Sequence, residues 1–523
     1  MHTTSTSTPS TTLRLYNTQT RTVESFQPHN KPRDDQGCEQ VSMYACGPTV
    51  YDYTHIGHIR KYVMDDILRR TLERLGYHVC HVMNITDVGH LTSDADSGED
   101  KLEKGAQKTG KTVWEVRDFY QAFFKDTMNR MNVLLPKGKH LCRATEHIPQ
   151  MIAQIQLLEK NGLTYTTDQA VYLSVGAFNA LGKPFEYGQL SRQKLEDKQV
   201  AVREDVHTDP GKKHPADFAL WFFRKGRFAN HTMYWNPKDV DKTIEWGEGF
   251  PGWHIECSAM STHYLGEQID IHTGGIDHIP VHHENEIAQA EGVSGKHPFV
   301  KFWVHHNFLM VEGEKMSKSL GNFYTLDEVI ARGFDPMALR LLFLQTHYRQ
   351  EMNFTWKSLE GAQTAWERLK REVLELMEKG AKKIPFQPAI PNQVPSQISV
   401  TPLNQNDPGL AIDSIIADDL NTPGLVSYLF QLLRSDLDQN IIYTAITDHI
   451  DPILGLGLAG LEPEAVSIPP EILELAEKRQ QTREAKDWAT SDALRNEIRD
   501  SGFTIHDTGK GYRIEKNASR VTE

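Results

Sequence analysis

No run of about 18 apolar residues occurs anywhere in the chain, so no transmembrane helix is expected. The Ser/Thr-rich first twelve residues hold neither a basic start nor an apolar core, which argues against a secretory signal. Residues 1–12 read instead as a disordered tail. Cysteine is scarce: the 523 residues contain five (Cys38, Cys46, Cys80, Cys142, Cys257), scattered and never as C-x-x-C. An odd, dispersed set is no disulfide framework and no zinc finger; it suits thiols in a reducing, cytoplasmic setting. H-E-x-x-H is missing because Ile287 stands where its second histidine would, which disfavours a metalloprotease of that kind. Internal repeats are absent. So is any excess of positive charge: the formal net charge is −13, which argues against non-specific nucleic-acid binding but leaves room for a local basic patch.

With 39% hydrophobic and 24% charged residues, the chain has the composition of a soluble globular protein, long enough for several domains. A strand is expected over 41–46, ending at Cys46 and the Gly47-Pro48 turn. Ile59, Val63, Ile67, Leu68, Leu72 and Leu75 then recur at helical spacing up to Gly76, and a second strand follows over 77–85. Strand–helix–strand of this length is a βαβ unit and implies a parallel sheet, with its phosphate site at the first strand-to-helix turn. Residues 140–235 read as an insertion that opens with a helix over 146–161. The sheet resumes near Thr243, with its best later strands over 269–272 and 299–304. From Asp335 the pattern turns helical, with long apolar periods over 356–380 and 412–433 and a Pro/Gln-rich linker over 382–409. The tail carries a charged helix over 471–499, broken near Trp488, and a Gly-rich hairpin over 502–514.

Two short motifs stand far apart: Thr54-His55-Ile56-Gly57-His58 and Lys315-Met316-Ser317-Lys318-Ser319. His55 and His58 lie three apart at a helix start, where free N–H groups and the dipole favour phosphate. Gly57 lets adenine or backbone come close. Lys315 and Lys318 can close over a pyrophosphate leaving group. In this order the two motifs resemble the signatures of class I aminoacyl-tRNA synthetases. The turn Gly274-Gly275-Ile276-Asp277 resembles the one that such enzymes use for adenosine.

Cys46, Cys257, and a helix with His282 and Glu286 one turn apart could supply a tetrahedral zinc set. Residue types alone do not select these four from 24 histidines and five cysteines. The longer stretches do. Cys46 to His58, Pro251-Gly-Trp-His-Ile-Glu-Cys-Ser-Ala-Met260, His282-His-Glu-Asn-Glu-Ile-Ala-Gln289 and Lys315 to Asn322 resemble the cysteinyl-tRNA synthetase family. Asn84-Ile-Thr-Asp87, Arg143-Ala-Thr-Glu-His147 and Asp217-Phe-Ala-Leu-Trp221 extend the resemblance, which runs from about Leu13 to the C-terminus.

The resemblance implies one zinc per chain on Cys46, Cys257, His282 and Glu286. His283 is set aside because its i+4 position is Ile287. It implies an amino-acid pocket lined by Thr86 and Trp253, and ATP held by His55, Gly57, His58, Gly274, Gly275, Asp277, Lys315, Met316, Ser317 and Lys318. His55, His58, Lys315 and Lys318 are the catalytic set, and no general base is assigned. L-cysteine, ATP with Mg²⁺, and tRNA(Cys) are the expected substrates, joined through a cysteinyl-adenylate by a cytoplasmic monomer. The segment after Asp87 and the 382–409 stretch depart from the usual pattern, leaving the core chemistry intact.

The expected fold is α/β: a Rossmann-type parallel-sheet catalytic domain with an insertion, an α-helical bundle and a small mixed C-terminal domain. Its parts are 13–139 and 236–334 (catalytic), 140–235 (insertion), 335–465 (bundle) and 466–523 (anticodon-binding). Two rivals share parts of the pattern. Cysteine ligases that act on an amino sugar have the zinc and ATP motifs but lack a full anticodon-binding end. A non-catalytic RNA-binding paralogue would be expected to lose part of the ATP motifs.

Overall fold

The computed structural model describes residues 11–29, 40–88, 91–93, 97–193, 209–317, 320–384, 408–462, 468–508 and 511–516. Cys38, Lys318, Ser319, the 1–10 tail and most of the Pro/Gln-rich linker lie outside them. The chain divides into two compact units, Met1–Ala459 and Gly460–Glu523.

The first unit is organised by a five-stranded sheet in the order Val300–His306, Ile269–Gly275, Gln40–Ala45, His78–Ile85, Leu141–Arg143. All four pairings are parallel. Its strands are buried almost throughout, as befits a sheet covered on both faces. This is the Rossmann-type sheet expected. The edge strand Leu141–Arg143 lies inside the segment read as an insertion, yet it pairs with the main sheet. Three residues without alternation gave no period to detect it by.

An antiparallel sheet in the order Gly249–Pro251, Phe218–Phe223, Ala170–Leu173, Thr164–Thr166 forms the inserted layer. Phe218–Phe223 is apolar at nearly every position and fully buried, and its aromatic side chains join the same hydrophobic core as Cys46 and Cys257. Insertion and catalytic sheet thus bury one continuous interior, which holds the walls of the site between them.

The helix Ile56–Arg74 begins at the first strand-to-helix turn. Its buried stripe includes Ile59, Val63, Ile67, Leu68 and Leu72, the period read in the sequence. It also buries three charged residues. Asp66 accepts from Arg70 at 2.8 Å and from the wholly buried Arg340 at 2.5 Å. Arg340, on the helix Pro336–Leu344, further donates to the carbonyls of Leu454 (2.7 Å) and Met131 (2.8 Å). Removing one member of such a buried pair costs several kcal/mol, about 3–5, so this cluster fixes the helical bundle against the helix that starts at the site.

In the bundle, Trp356–Glu378 is one long helix as expected. The apolar period over 412–433 is instead two helices, Pro408–Ile416 and Thr422–Leu433. Asp419 and Leu420 between them take positive φ (56° and 55°), which no helix can continue through. Asp419 accepts from Tyr348 Oη (2.6 Å), Tyr16 N (2.8 Å) and Arg349 (2.7 Å), contacts that hold the break.

The second unit has helices Pro470–Glu484 and Trp488–Asp500 and the hairpin Phe503–Thr508/Gly511–Lys516. Ile472, Ala476, Ile498, Phe503, Ile505 and Ile514 form its core. Arg479, also buried, donates both guanidinium branches to Asp507, at 2.7 and 3.1 Å.

Candidate active site and metal centre

Cys46 follows the central strand directly. Cys257 sits on the helix Trp253–Leu265, and His282 and Glu286 on His282–Ser294. One donor atom from each of the four lies within 4.8 Å of all the others, and all four residues are buried. His282 Nε2 and Glu286 Oε1 stand 3.0 Å apart, but neither makes a hydrogen bond. Orphaned polar atoms at the base of a cluster of soft and borderline donors are what a buried cation would satisfy. The residues present therefore fit zinc.

The electrostatics agree. Burial works against protonation of His282, yet Glu286 and Cys46 beside it carry its pKa up to about 10. Burial also raises Cys46, but contacts from Cys257, His278 and His282 outweigh it and bring this thiol well below its usual value. Burial, then Cys46 itself, pushes Cys257 well above. The cluster is an anionic pocket that retains positive charge.

His283 does not face away. Its Nε2 lies 3.5 Å from Cys46 Sγ and 3.9 Å from Glu286 Oε1, and a second donor set joins Cys46, His272, His283 and Glu286. The i+4 criterion set His283 aside, but i+3 also shares a helix face, and Glu286 is its i+3 neighbour. Strand position gave no sign of His272, which reaches Glu286 Oε2 at 3.0 Å. Behind it runs a buried chain: His283 Nδ1 to His305 Nε2 at 2.7 Å, and His305 Nδ1 to Thr18 Oγ1 at 2.7 Å.

Trp253 stacks on His282 at 4.1 Å between centroids. Thr86 is buried at the end of the His78–Ile85 strand, its hydroxyl accepting from Asn84 Nδ2 at 3.0 Å; Asn84 Oδ1 in turn accepts from Gly47 N at 2.7 Å. Asn84 thereby ties Thr86 to the turn after Cys46.

His55 is the N-cap of the Ile56–Arg74 helix. Its Nδ1 accepts from Gly57 N (3.1 Å) and His58 N (3.3 Å), which leaves the ring proton on Nε2. The two imidazoles stack at 3.6 Å. Lys315 ends the short strand Glu314–Lys315 and is exposed, with Nζ 5.7 Å from the Phe308 ring. The two motifs meet: a Cβ on Gly57 would lie 3.7 Å from Met316 Cε, and Phe323 packs edge-on against His55 at 4.9 Å. Asn322 Oδ1 accepts from Ser317 N at 2.7 Å. Lys318 lies outside the described residues.

Gly274 and Gly275 have packing reasons of their own. A Cβ on Gly274 would stand 2.5 Å from His283 Cε1, and one on Gly275 would collide with Asp277. The Asp277 side chain is largely exposed. Glu256 and Lys61 were not anticipated from sequence. Lys61 donates to the Cys46 carbonyl at 2.5 Å and pairs with Asp65 at 2.7 Å, securing the turn that presents the thiol.

Residues 33–364 match the family described as tRNA synthetases class I (C) catalytic domain, and 466–514 the cysteinyl-tRNA ligase anticodon binding domain. The leucyl-tRNA synthetase of Agrobacterium radiobacter K84, solved in a ternary complex, superposes with a TM-score of 0.54 at 12% identity over 84% of this chain and 87% of its own, a likeness of fold alone. Sheet, motifs and match together define a class I aminoacyl-tRNA synthetase. Cysteine–tRNA ligase 1 of Burkholderia lata is 41% identical over 98% of both chains, and the cysteine–tRNA ligase of Treponema denticola 40% identical over 95% of this chain and 98% of its own. The chain belongs to the cysteine–tRNA ligase family.

Proposed function

We propose that this enzyme attaches L-cysteine to tRNA(Cys) through a cysteinyl-adenylate. The observation that carries the reading is the convergence of Cys46, Cys257, His282 and Glu286 in one buried cluster beside a pair of meeting ATP motifs. Those four residues would hold one zinc ion, which supplies a soft partner for a thiolate sulfur. Serine, with oxygen in place of sulfur, is poorly matched to such a partner, whereas an apolar pocket alone separates near-isosteres by only about 100-fold.

The substrate carboxylate attacks the α-phosphorus of ATP and pyrophosphate leaves; the terminal ribose hydroxyl of tRNA then attacks the adenylate carbonyl and AMP leaves. His55 Nε2–H and His58 at the helix N-terminus donate to the phosphate oxygens as charge builds. Lys315 and Lys318 take the charge of the departing pyrophosphate, with Mg²⁺ accompanying ATP. Gly57, Gly274, Gly275, Asp277, Met316 and Ser317 shape the nucleotide site. Thr86 and Trp253 line the amino-acid pocket. Much of this is orientation and charge stabilisation.

The domain division proposed is catalytic over 13–139 and 236–334, insertion over 140–235, bundle over 335–465 and anticodon-binding over 466–523, in a monomeric cytoplasmic protein. No helix among the described residues is long and apolar enough to cross a membrane. The match of 466–514 to an anticodon-binding domain favours tRNA over an amino-sugar acceptor. The test is ATP–pyrophosphate exchange with cysteine and with serine, followed by transfer to tRNA or to an amino sugar. Cysteine-dependent exchange and tRNA charging are expected; transfer to the amino sugar alone would overturn the reading.

A further inference from the structure

Buried carboxylates of the first unit commonly have partners. Asp65 meets Lys61 and His306, Asp66 meets Arg70 and Arg340, and Asp270 accepts from Ser42. Glu284 accepts from two backbone N–H groups, and Glu291 from Phe299 N. Among the described residues Glu256 alone has both carboxylate oxygens buried and without a hydrogen-bond partner. Its side chain is wholly inaccessible to solvent.

A buried carboxylate is costly unless it is matched, and the Thr86 hydroxyl beside it offers a dipole rather than a charge. Glu256 lies on the helix Trp253–Leu265, three residues after Trp253 and one before Cys257, so it borders both the proposed pocket and the metal donors. Thr86, His282, Asp87 and Asp100 are polar neighbours of its side chain. Those two acids are already engaged, Asp87 by Thr145 (2.9 and 2.6 Å) and Asp100 by the N–H groups of Leu102 (2.8 Å) and Glu103 (3.1 Å).

We propose that Glu256 is the acceptor for the α-ammonium group of the amino-acid substrate. The inference rests on the reading of cysteine as that substrate. Glu256 shares a helix face with Trp253 and lies against Thr86, the two residues proposed to line the pocket, so a cysteine whose sulfur sits at the metal donors would turn its ammonium, two carbons away, towards this carboxylate. Thr86, next to Glu256, completes the subsite with its hydroxyl. Burial does not set Glu256 apart from the site, since Cys257, His282 and Glu286 are as closed to water as it is. Selectivity then has two anchors: soft donors for the sulfur and a carboxylate for the amine.

The test uses 3-mercaptopropionate, which keeps the thiol and the carboxylate and lacks only the ammonium. Binding of both ligands to the zinc-loaded, full-length protein is measured calorimetrically for wild type and Glu256→Gln, with zinc content as the check on the site. Wild type should prefer cysteine by about 100-fold, and Glu256→Gln should lose most of that preference by weakening cysteine while changing the analogue less than about threefold. Glu256→Asp, which keeps the charge on a shorter arm, should fall between, and it supplies the same ratio should the Gln variant lose zinc. Equal weakening of both ligands, or an unchanged preference, overturns the role of Glu256. Wild type that neither binds nor activates cysteine would instead overturn the functional reading on which it stands.

Discussion

The proposed metal floor and the proposed ATP rim of the catalytic unit are built in opposite ways. At the floor, Cys46, Cys257, His282 and Glu286 are at most 4% exposed. At the rim, His58 and Lys315 are exposed, on a helix start and at the end of a two-residue strand. The contrast follows from what each is proposed to do. Discriminating sulfur from oxygen needs fixed donors and low dielectric, which only a closed interior provides. Binding and releasing a triphosphate needs donors that water and a large ligand can both reach.

The contrast predicts that the two regions fail separately. Cys257→Ser gives the largest effect: it removes a soft ligand from a closed site, so zinc content and cysteine-dependent exchange should both fall, exchange by more than about 100-fold. Metal analysis beside the exchange assay decides it, and full zinc with normal exchange would defeat the zinc assignment. Lys315→Ala should do the converse. Exchange should drop by about 10²–10³, the usual cost of one preorganised charge-stabilising group, with zinc content and cysteine affinity unchanged. A Lys315→Ala protein that lost zinc would show that floor and rim are one coupled structure.

Legibility in the sequence follows the same divide. The rim could be read directly, because its residues sit close together in the chain: His55 to His58 and Lys315 to Ser319 each form one short string. The βαβ unit was legible for the same reason, with Ile59, Val63, Ile67 and Leu72 giving the helix its period. The floor is assembled from a strand end and two helices more than 200 residues away, and only whole-motif resemblance picked out its four proposed ligands. Glu256, His272 and His283 show what that route misses. Their importance lies in which neighbours they lack or share, a property of packing that no spacing rule encodes. The break at Asp419 was hidden for a different reason: the apolar period continues across it while the backbone does not.

The smallest effect at neutral pH concerns whether the sheet beneath the floor is as closed as its geometry implies. His81, on the strand His78–Ile85, is 5% exposed, and neither ring nitrogen has a hydrogen-bond partner among the described residues. Burial is the main cause that lowers its pKa to about 3, with Asp65 and Asp66 opposing and Arg69 and Lys61 assisting. An unfolded chain binds this proton near pH 6.5, whereas the folded one refuses it until about pH 3. Protons therefore favour the unfolded state throughout that window. Above pH 6.5 the group has no effect; below it stability declines, by about 1 kcal/mol at pH 5.5. His81→Leu, apolar at the same buried site, should flatten this part of the acid limb when unfolding midpoints are compared with wild type from pH 7.5 to 5. The metal ligands titrate in both proteins and cancel in the difference. An unchanged limb would mean that His81 is protonated in the folded protein, and that water or an anion reaches the sheet under the floor.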